Sequence, residues 1–151
     1  MEYEYCYKVS NLEEYLEYIE KNYKFKEKYK EKRVIYRNKK NIARVSYKNK
    51  DMYLDFKESK ISDTDLNIRK ETKKIKFDNI ENCEDILAFL NYKKDNSMVR
   101  NRSIYEGKNI TFEIDEYLEP EKAYVVSFEG DKKTCDKVNK QFTELNKKYK
   151  I

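Results

Sequence analysis

Met1-Glu2-Tyr3-Glu4-Tyr5-Cys6-Tyr7-Lys8-Val9 opens the chain and decides how the rest of it is read. Glu2, Glu4, Cys6 and Lys8 share one parity, and Tyr3, Tyr5, Tyr7 and Val9 share the other. A strand sends successive side chains to opposite faces, so this ribbon has an apolar, aromatic side and a carboxylate-bearing side. Carboxylates at i and i+2 lie about 7 Å apart on one face, close enough to share a cation or to repel each other. An edge strand with its polar side in water satisfies the same pattern. Recurrence of the pattern decides between the two.

It recurs along most of the chain. Residues 42–48 set Arg44, Ser46 and Lys48 against Ala43, Val45 and Tyr47, and residues 52–57 set Asp55 and Lys57 against Leu54 and Phe56. Residues 66–75 place Asn67, Arg69, Glu71 and Lys73 on one parity, and residues 98–105 bring Arg100 and Arg102 together. Residues 110–115 oppose Ile110, Phe112 and Ile114 to Thr111, Glu113 and Asp115; residues 124–129 oppose Tyr124, Val126 and Phe128 to Val125, Ser127 and Glu129. Within the lysine-rich residues 23–37, Arg33-Val34-Ile35-Tyr36 is the expected strand. Turns are expected at 37–41, 49–51 and 106–109, where Asn, Asp, Gly and Lys cluster. Helical spacing appears three times. Leu12, Tyr15, Leu16 and Ile19 follow a Ser10–Glu13 capping-box pattern, Ile86, Leu87, Phe89 and Leu90 mark residues 83–92, and Val138, Phe142, Leu145 and Tyr149 mark the last helix. About eight short strands with three helices predict a single α+β domain over residues 1–151: an antiparallel eight-stranded, tunnel-like β-barrel with flanking helices.

The bulk composition narrows the chemistry. Charged residues make up 42% of the 151, yet fifteen Tyr and seven Phe argue for a folded domain, because disordered chains are poor in aromatics. With no His there is no Ser-His-Asp triad and no His-ligated metal, and with Gly only at 107 and 130 there is no phosphate-cradling glycine loop. Cys6, Cys83 and Cys135 are odd in number and widely spaced, which indicates neither a disulfide framework nor a thiolate zinc site. A hard cation must therefore be held by carboxylates, and a phosphate by Lys and Arg. The net charge of +5 mixes both signs, a mild bias toward small anions and away from duplex nucleic acid. No apolar run of membrane-spanning length and no signal-type segment is seen, so a soluble, cytoplasmic protein without membrane contact is expected.

Arg44, Lys48, Lys57, Arg69, Lys73, Arg100 and Arg102 supply cations on the polar faces, and Glu2, Glu4, Glu71, Asp115 and Glu129 supply anions. Turned inward to a dry core, unpaired ions would cost several kcal/mol each. Turned toward a wet lumen, they would make a site for a polyanion and a metal ion. Mg²⁺ suits such a site, since it takes one or two carboxylates, keeps waters and binds substrate phosphate oxygens.

At this point the chain resembles a known family. Glu2-Tyr3-Glu4-Tyr5-Cys6 looks like the ExExK strand that opens members of the CYTH, or triphosphate tunnel metalloenzyme, superfamily. In order along the chain, Ala43-Arg44-Val45-Ser46 resembles the family's basic RxR-type strand, Asp55-Phe56-Lys57 its substrate lysine and Arg69-Lys70-Glu71 its RxE strand. Arg100-Asn101-Arg102 then resembles its K/RxR strand, Ile114-Asp115 its acidic strand and Ser127-Phe128-Glu129 its closing ExE. The resemblance implies a triphosphate-containing small molecule bound with Mg²⁺ or Mn²⁺, and hydrolysed or, in cyclase members, cyclised. It implies Glu2, Glu4, Asp115 and Glu129 as metal ligands, with Glu2, Glu4 and Glu129 forming the catalytic set. Arg44, Lys57, Arg69, Arg100 and Arg102 would contact substrate, and a homodimer is an expected assembly. Three positions depart from the pattern: Cys6 stands for a lysine, Ser46 for an arginine and Ser127 for a glutamate. Such losses leave two outcomes open, a working triphosphatase and a tunnel that binds nucleotide or polyphosphate without turnover.

Overall fold

The computed structural model describes the backbone of residues 2–61 and 66–151, and the side chains of residues 2–58 and 71–151. In these, nine strands and four helices follow one another as β1 (Glu2–Val9), α1 (Glu13–Asn22), β2 (Lys24–Asn38), β3 (Asn41–Lys48), β4 (Asp51–Ile61), β5 (Leu66–Glu71) and β6 (Ile75–Phe77). The remainder are α2 (Ile80–Phe89), β7 (Lys93–Gly107), β8 (Ile110–Glu119), β9 (Ala123–Gly130), α3 (Lys132–Gln141) and α4 (Thr143–Tyr149). Every pairing is antiparallel. The strand order β3-β2-β7-β8-β9-β1-β5-β4 returns to its start through a β3–β4 pairing, so eight strands form a hydrogen-bonded circuit. The short β6 continues along β4 at Met52–Leu54, beyond the reach of β5.

The outer face of the circuit carries the apolar parity. Tyr5, Tyr7, Val9, Phe112, Ile114, Val126 and Phe128 from β1, β8 and β9 pack with Tyr15 and Ile19 of α1, with Cys135 and Val138 of α3, and with Phe142. Tyr5 and Tyr15 satisfy their hydroxyls by donating to Asp136 (2.7 Å) and Asn146 (2.7 Å), so the aromatic side of β1 is helix-facing packing. A smaller cluster joins Val34, Tyr36, Ala43, Val45 and Leu54 of β2, β3 and β4 to Cys83 and Leu87 of α2. Two sides of the ring are thus covered, and the charged parity faces inward.

Several element boundaries differ from the sequence expectation. β2 runs fifteen residues instead of four, because alternation within Glu27-Lys28-Tyr29-Lys30-Glu31-Lys32-Arg33 sets charge against charge and hides its polarity from a hydropathy pattern. β5 stops at Glu71, and the chain re-enters the sheet only at Ile75, so the parity expected through residue 75 is broken. The final helix is two, divided at the fully buried Phe142. The expected Ser10 cap is not formed; Asn11 Oδ1 accepts from the Glu13 amide at 2.8 Å while the Ser10 amide donates to the Tyr149 carbonyl at 2.8 Å. The hairpin turns do fall at 38–41, 48–51 and 107–110, with Lys39, Asn49 and Asn109 in left-handed conformations.

Candidate functional site

Inside the strand circuit lies a cavity of about 280 Å³, lined by polar side chains from β1, β2, β3, β4, β5, β7, β8 and β9. Arg33, Arg44, Lys57, Lys74, Arg100 and Arg102 line it, and so do Glu4, Asp55, Glu71, Glu113, Asp115 and Glu129. Among the described residues the lining guanidiniums come from β2, β3 and β7, β4 gives both Asp55 and Lys57, and three of the carboxylates come together from β1, β8 and β9.

On the cationic side, alternating charges make a chain of contacts. Arg102 donates to Glu113 and forms a two-point pair with Asp115 at 2.8 and 2.9 Å. Asp115 Oδ2 also accepts from Arg100 at 3.4 Å, and Arg100 donates to Glu31 Oε1 at 3.0 and 2.6 Å. Glu31 in turn lies 3.4 Å from Arg33, whose Nε donates to Ser46 Oγ at 3.1 Å. Arg44 pairs at two points with Asp55 and lies 3.4 Å from Glu71. Charge-assisted two-point pairs of this kind are what a buried guanidinium needs. Burial alone would lower the pKa of Arg44, Arg100 and Arg102, but their carboxylate partners outweigh it and all three are raised. Arg33 goes the other way. Burial first and Arg100 second pull it down to about 10, against the opposing pull of Glu31. Glu31 is held below the usual carboxylate range because Arg33, Arg100 and Arg102 together outweigh its burial.

The acidic side is different. Glu4, Glu113 and Glu129 bring carboxylate oxygens within 4.8 Å of one another. Strand register explains the meeting: Glu4 stands opposite Glu129, and Glu113 stands opposite Ser127, two residues away on the same face. Burial, then Glu113, Glu2, Glu4 and Glu71, push the Glu129 carboxyl up to about 8. Glu113 is shared with Arg102, and the three converging carboxylate oxygens are the donor type that a hard divalent cation takes, so these residues fit Mg²⁺ or Mn²⁺. Gly130 follows Glu129 where a Cβ would meet the Asn109 carbonyl at 2.0 Å, which fixes this end of β9 against the β7–β8 turn.

Of the residues singled out in the sequence, Glu4, Asp115, Glu129, Arg44, Lys57, Arg100 and Arg102 line the cavity. Glu2 is exposed and opens onto a separate surface hollow with Glu129 and Gly130. Asp115 is occupied by Arg100 and Arg102. The backbone of Arg69 stands opposite Glu2 and Ser59, and its side chain lies outside the described residues. Lys48 pairs with Glu27 at 3.0 Å over the Tyr29 ring and does not line the cavity; exposed Lys73 does not either, its place being taken by Lys74 after the break at Glu71. Glu113, Arg33, Glu31 and Lys74 were not singled out. Glu113 shares the parity of Asp115, a signal that was available, whereas Arg33 and Glu31 were hidden by the charged alternation of β2. Cys6 and Ser127, two of the departures from the resemblance, face each other in register, and Ser127 Oγ donates to Cys6 Sγ at 3.3 Å.

No family model and no curated protein matches the chain by sequence. Solved structures do match. The PH1012 protein of Pyrococcus horikoshii superposes with a TM-score of 0.75 at 20% identity, over 97% of this chain and 88% of that one. A Hippeastrum protein, titled as an adenylyl cyclase candidate with a dominant triphosphatase activity, superposes with a TM-score of 0.70 at 11% identity, over 99% and 90%. A protein of Vibrio parahaemolyticus titled as an adenylate cyclase candidate gives 0.63 at 12%, over 97% and 86%. What is shared is the fold. The tunnel-like α+β architecture expected from the sequence is therefore the architecture found, and no described helix is long and apolar enough to cross a membrane.

Proposed function

We propose that the protein is a divalent-metal-dependent hydrolase of triphosphate substrates, with inorganic tripolyphosphate as its substrate. The observation that carries this reading is the three-carboxylate cluster Glu4, Glu113 and Glu129 facing a wall of guanidiniums across one cavity. Two fold neighbours are described as adenylyl cyclase candidates, the Hippeastrum protein with a dominant triphosphatase activity, which supports the triphosphate theme.

In this reading Glu4, Glu113 and Glu129 hold Mg²⁺ or Mn²⁺. The ion, when bound, supplies charge neutralisation on the transferring phosphoryl group and Lewis acidity toward water. The residues of the chain do the rest. Arg44, Lys57, Arg100 and Arg102 bind and orient phosphate oxygens, and the closed strand circuit limits bulk water. Water adds to the terminal phosphorus, the bridging P–O bond breaks, and the leaving pyrophosphate carries its charge toward the guanidinium wall. Among the described residues the cavity lining carries six cations and six carboxylates. A divalent ion on the acidic cluster leaves the cations in excess, so metal and polyanion bind with mutual reinforcement.

A second reading, binding without turnover, is favoured by the Cys6–Ser127 pair, which is neutral where the resemblance implies a lysine and a glutamate. Phosphate release from tripolyphosphate with Mg²⁺ or Mn²⁺, abolished by chelator, supports the hydrolase. Calorimetric binding with no release supports the second reading. Cyclic AMP formed from ATP would overturn both.

A further inference from the structure

The buried arginines of the cavity are unequally compensated. Arg44 has Asp55 at two points and Glu71 at 3.4 Å, and Arg102 has Asp115 at two points and Glu113. Arg100 has Glu31 and Asp115. Arg33 has only a share of Glu31 at 3.4 Å, on the same oxygen that Arg100 holds at 2.6 Å, and its Nε is spent on the neutral Ser46 hydroxyl. Among the described residues no carboxylate belongs to Arg33 alone.

Its position is also singular. The contacts Glu113–Arg102–Asp115–Arg100–Glu31–Arg33 lead away from the acidic cluster, and Arg33 is the last link. Lys74 lines the same cavity from the segment between β5 and β6, exposed toward solvent and without an ion pair among the described residues. Arg33 and Lys74 line one cavity, and partial enclosure there, then the Arg33 guanidinium, hold Lys74 below the usual lysine range. A buried guanidinium and a nearby ammonium with a carboxylate deficit form a seat for an oxyanion, and both residues have donors to spare.

We infer that Arg33 and Lys74 seat the phosphate group of the bound polyanion that lies farthest from Glu4, Glu113 and Glu129. This rests on the triphosphate reading and extends it. Arg44, Arg100 and Arg102 hold the middle of the anion while exchanging carboxylate partners, and Arg33 with Lys74 measures its length. A shorter anion anchored at the acidic end does not reach them.

The test is titration calorimetry on the full chain with Mg²⁺, using inorganic tripolyphosphate and pyrophosphate as probes. The wild type is expected to bind tripolyphosphate more tightly. Arg33→Gln and Lys74→Gln are each expected to weaken tripolyphosphate about tenfold while leaving pyrophosphate within about twofold, with Arg33→Lys keeping part of the difference. Equal losses for both anions, no loss for either, or no preference in the wild type would overturn the inference and leave the triphosphate reading standing. A wild type that binds neither anion would overturn that reading and this inference with it. If Arg33→Gln does not fold, Lys74→Gln at its exposed position decides: unchanged discrimination there refutes the length-measuring seat.

Discussion

The two walls of the tunnel hold comparable charge but treat it differently. On the β2–β3–β7 wall Arg44, Arg100 and Arg102 are each locked to carboxylates, and their charge is fixed by neighbours. On the β1–β8–β9 wall Glu4, Glu113 and Glu129 crowd one another, and burial first, then the neighbouring carboxylates, push the Glu129 carboxyl up to about 8. One wall is locked by its own ion pairs, and the other crowds carboxylates whose repulsion a bound cation would relieve. A buried polar layer can thus support the fold on one side and reserve binding energy on the other, within one sheet.

The sharpest way to break this contrast is Arg102→Ala. It takes a guanidinium from half-buried Glu113 and leaves buried Asp115 to Arg100 at 3.4 Å, and a loss of about 3 kcal/mol in urea unfolding is expected. A loss below about 1 kcal/mol would mean that the cationic wall is not structural.

On the acidic wall the expected sign is opposite. Glu129→Gln removes a repelled charge, so at pH 8 the metal-free protein should gain about 1 kcal/mol or more. The rise in Tm on adding Mg²⁺ or Mn²⁺ should largely vanish with it. Thermal melts with and without metal check both.

The pH dependence follows from the same group. Folded Glu129 keeps its proton to about pH 8, whereas the unfolded carboxyl loses it near the ordinary 4.5. Between these values the unfolded chain binds fewer protons, so this group's contribution to metal-free stability falls as pH rises from about 4.5 to 8. Metal binding must displace the proton, so stabilisation by Mg²⁺ should grow over the same range. Denaturant titrations at pH 5.5, 6.5 and 7.5 would show it, and a flat metal response would refute it. A smaller effect on stability is expected from Cys6→Lys with Ser127→Glu, which puts an ion pair in place of a neutral pair of exposed Cys6 and buried Ser127. Turnover gained by that double variant, measured as phosphate release, would favour the view that the natural chain binds without hydrolysing.

Much of the fold was legible in period-two alternation, because β1, β3, β8 and β9 each bury one face under aromatic or aliphatic packing. The site was legible where a motif-like spacing marked it, as at Glu4, Arg44, Arg100, Arg102 and Glu129. It was not legible on β2, where lysine faces solvent on one side while Glu31 and Arg33 face the lumen on the other. Charge on both faces carries no hydropathy signal, and only the third dimension sorts it. The exchange of Lys73 for Lys74 has another cause. A break in the sheet after Glu71 resets the parity, and nothing in the local composition announces it.

The place of β1 in the circuit has a consequence for how the chain acquires its shape. Its partners are β9, reached through the register Tyr3↔Gly130, and β5, reached through Glu2↔Arg69. The first strand therefore waits for the ninth, and the circuit stays open on a nascent chain until β9 has been synthesised. Such distant pairing slows folding and leaves growing chains prone to sticking edge to edge. Expression at lower temperature, or with a chaperone that shields strand edges, should raise the soluble yield more than any change to the lumen.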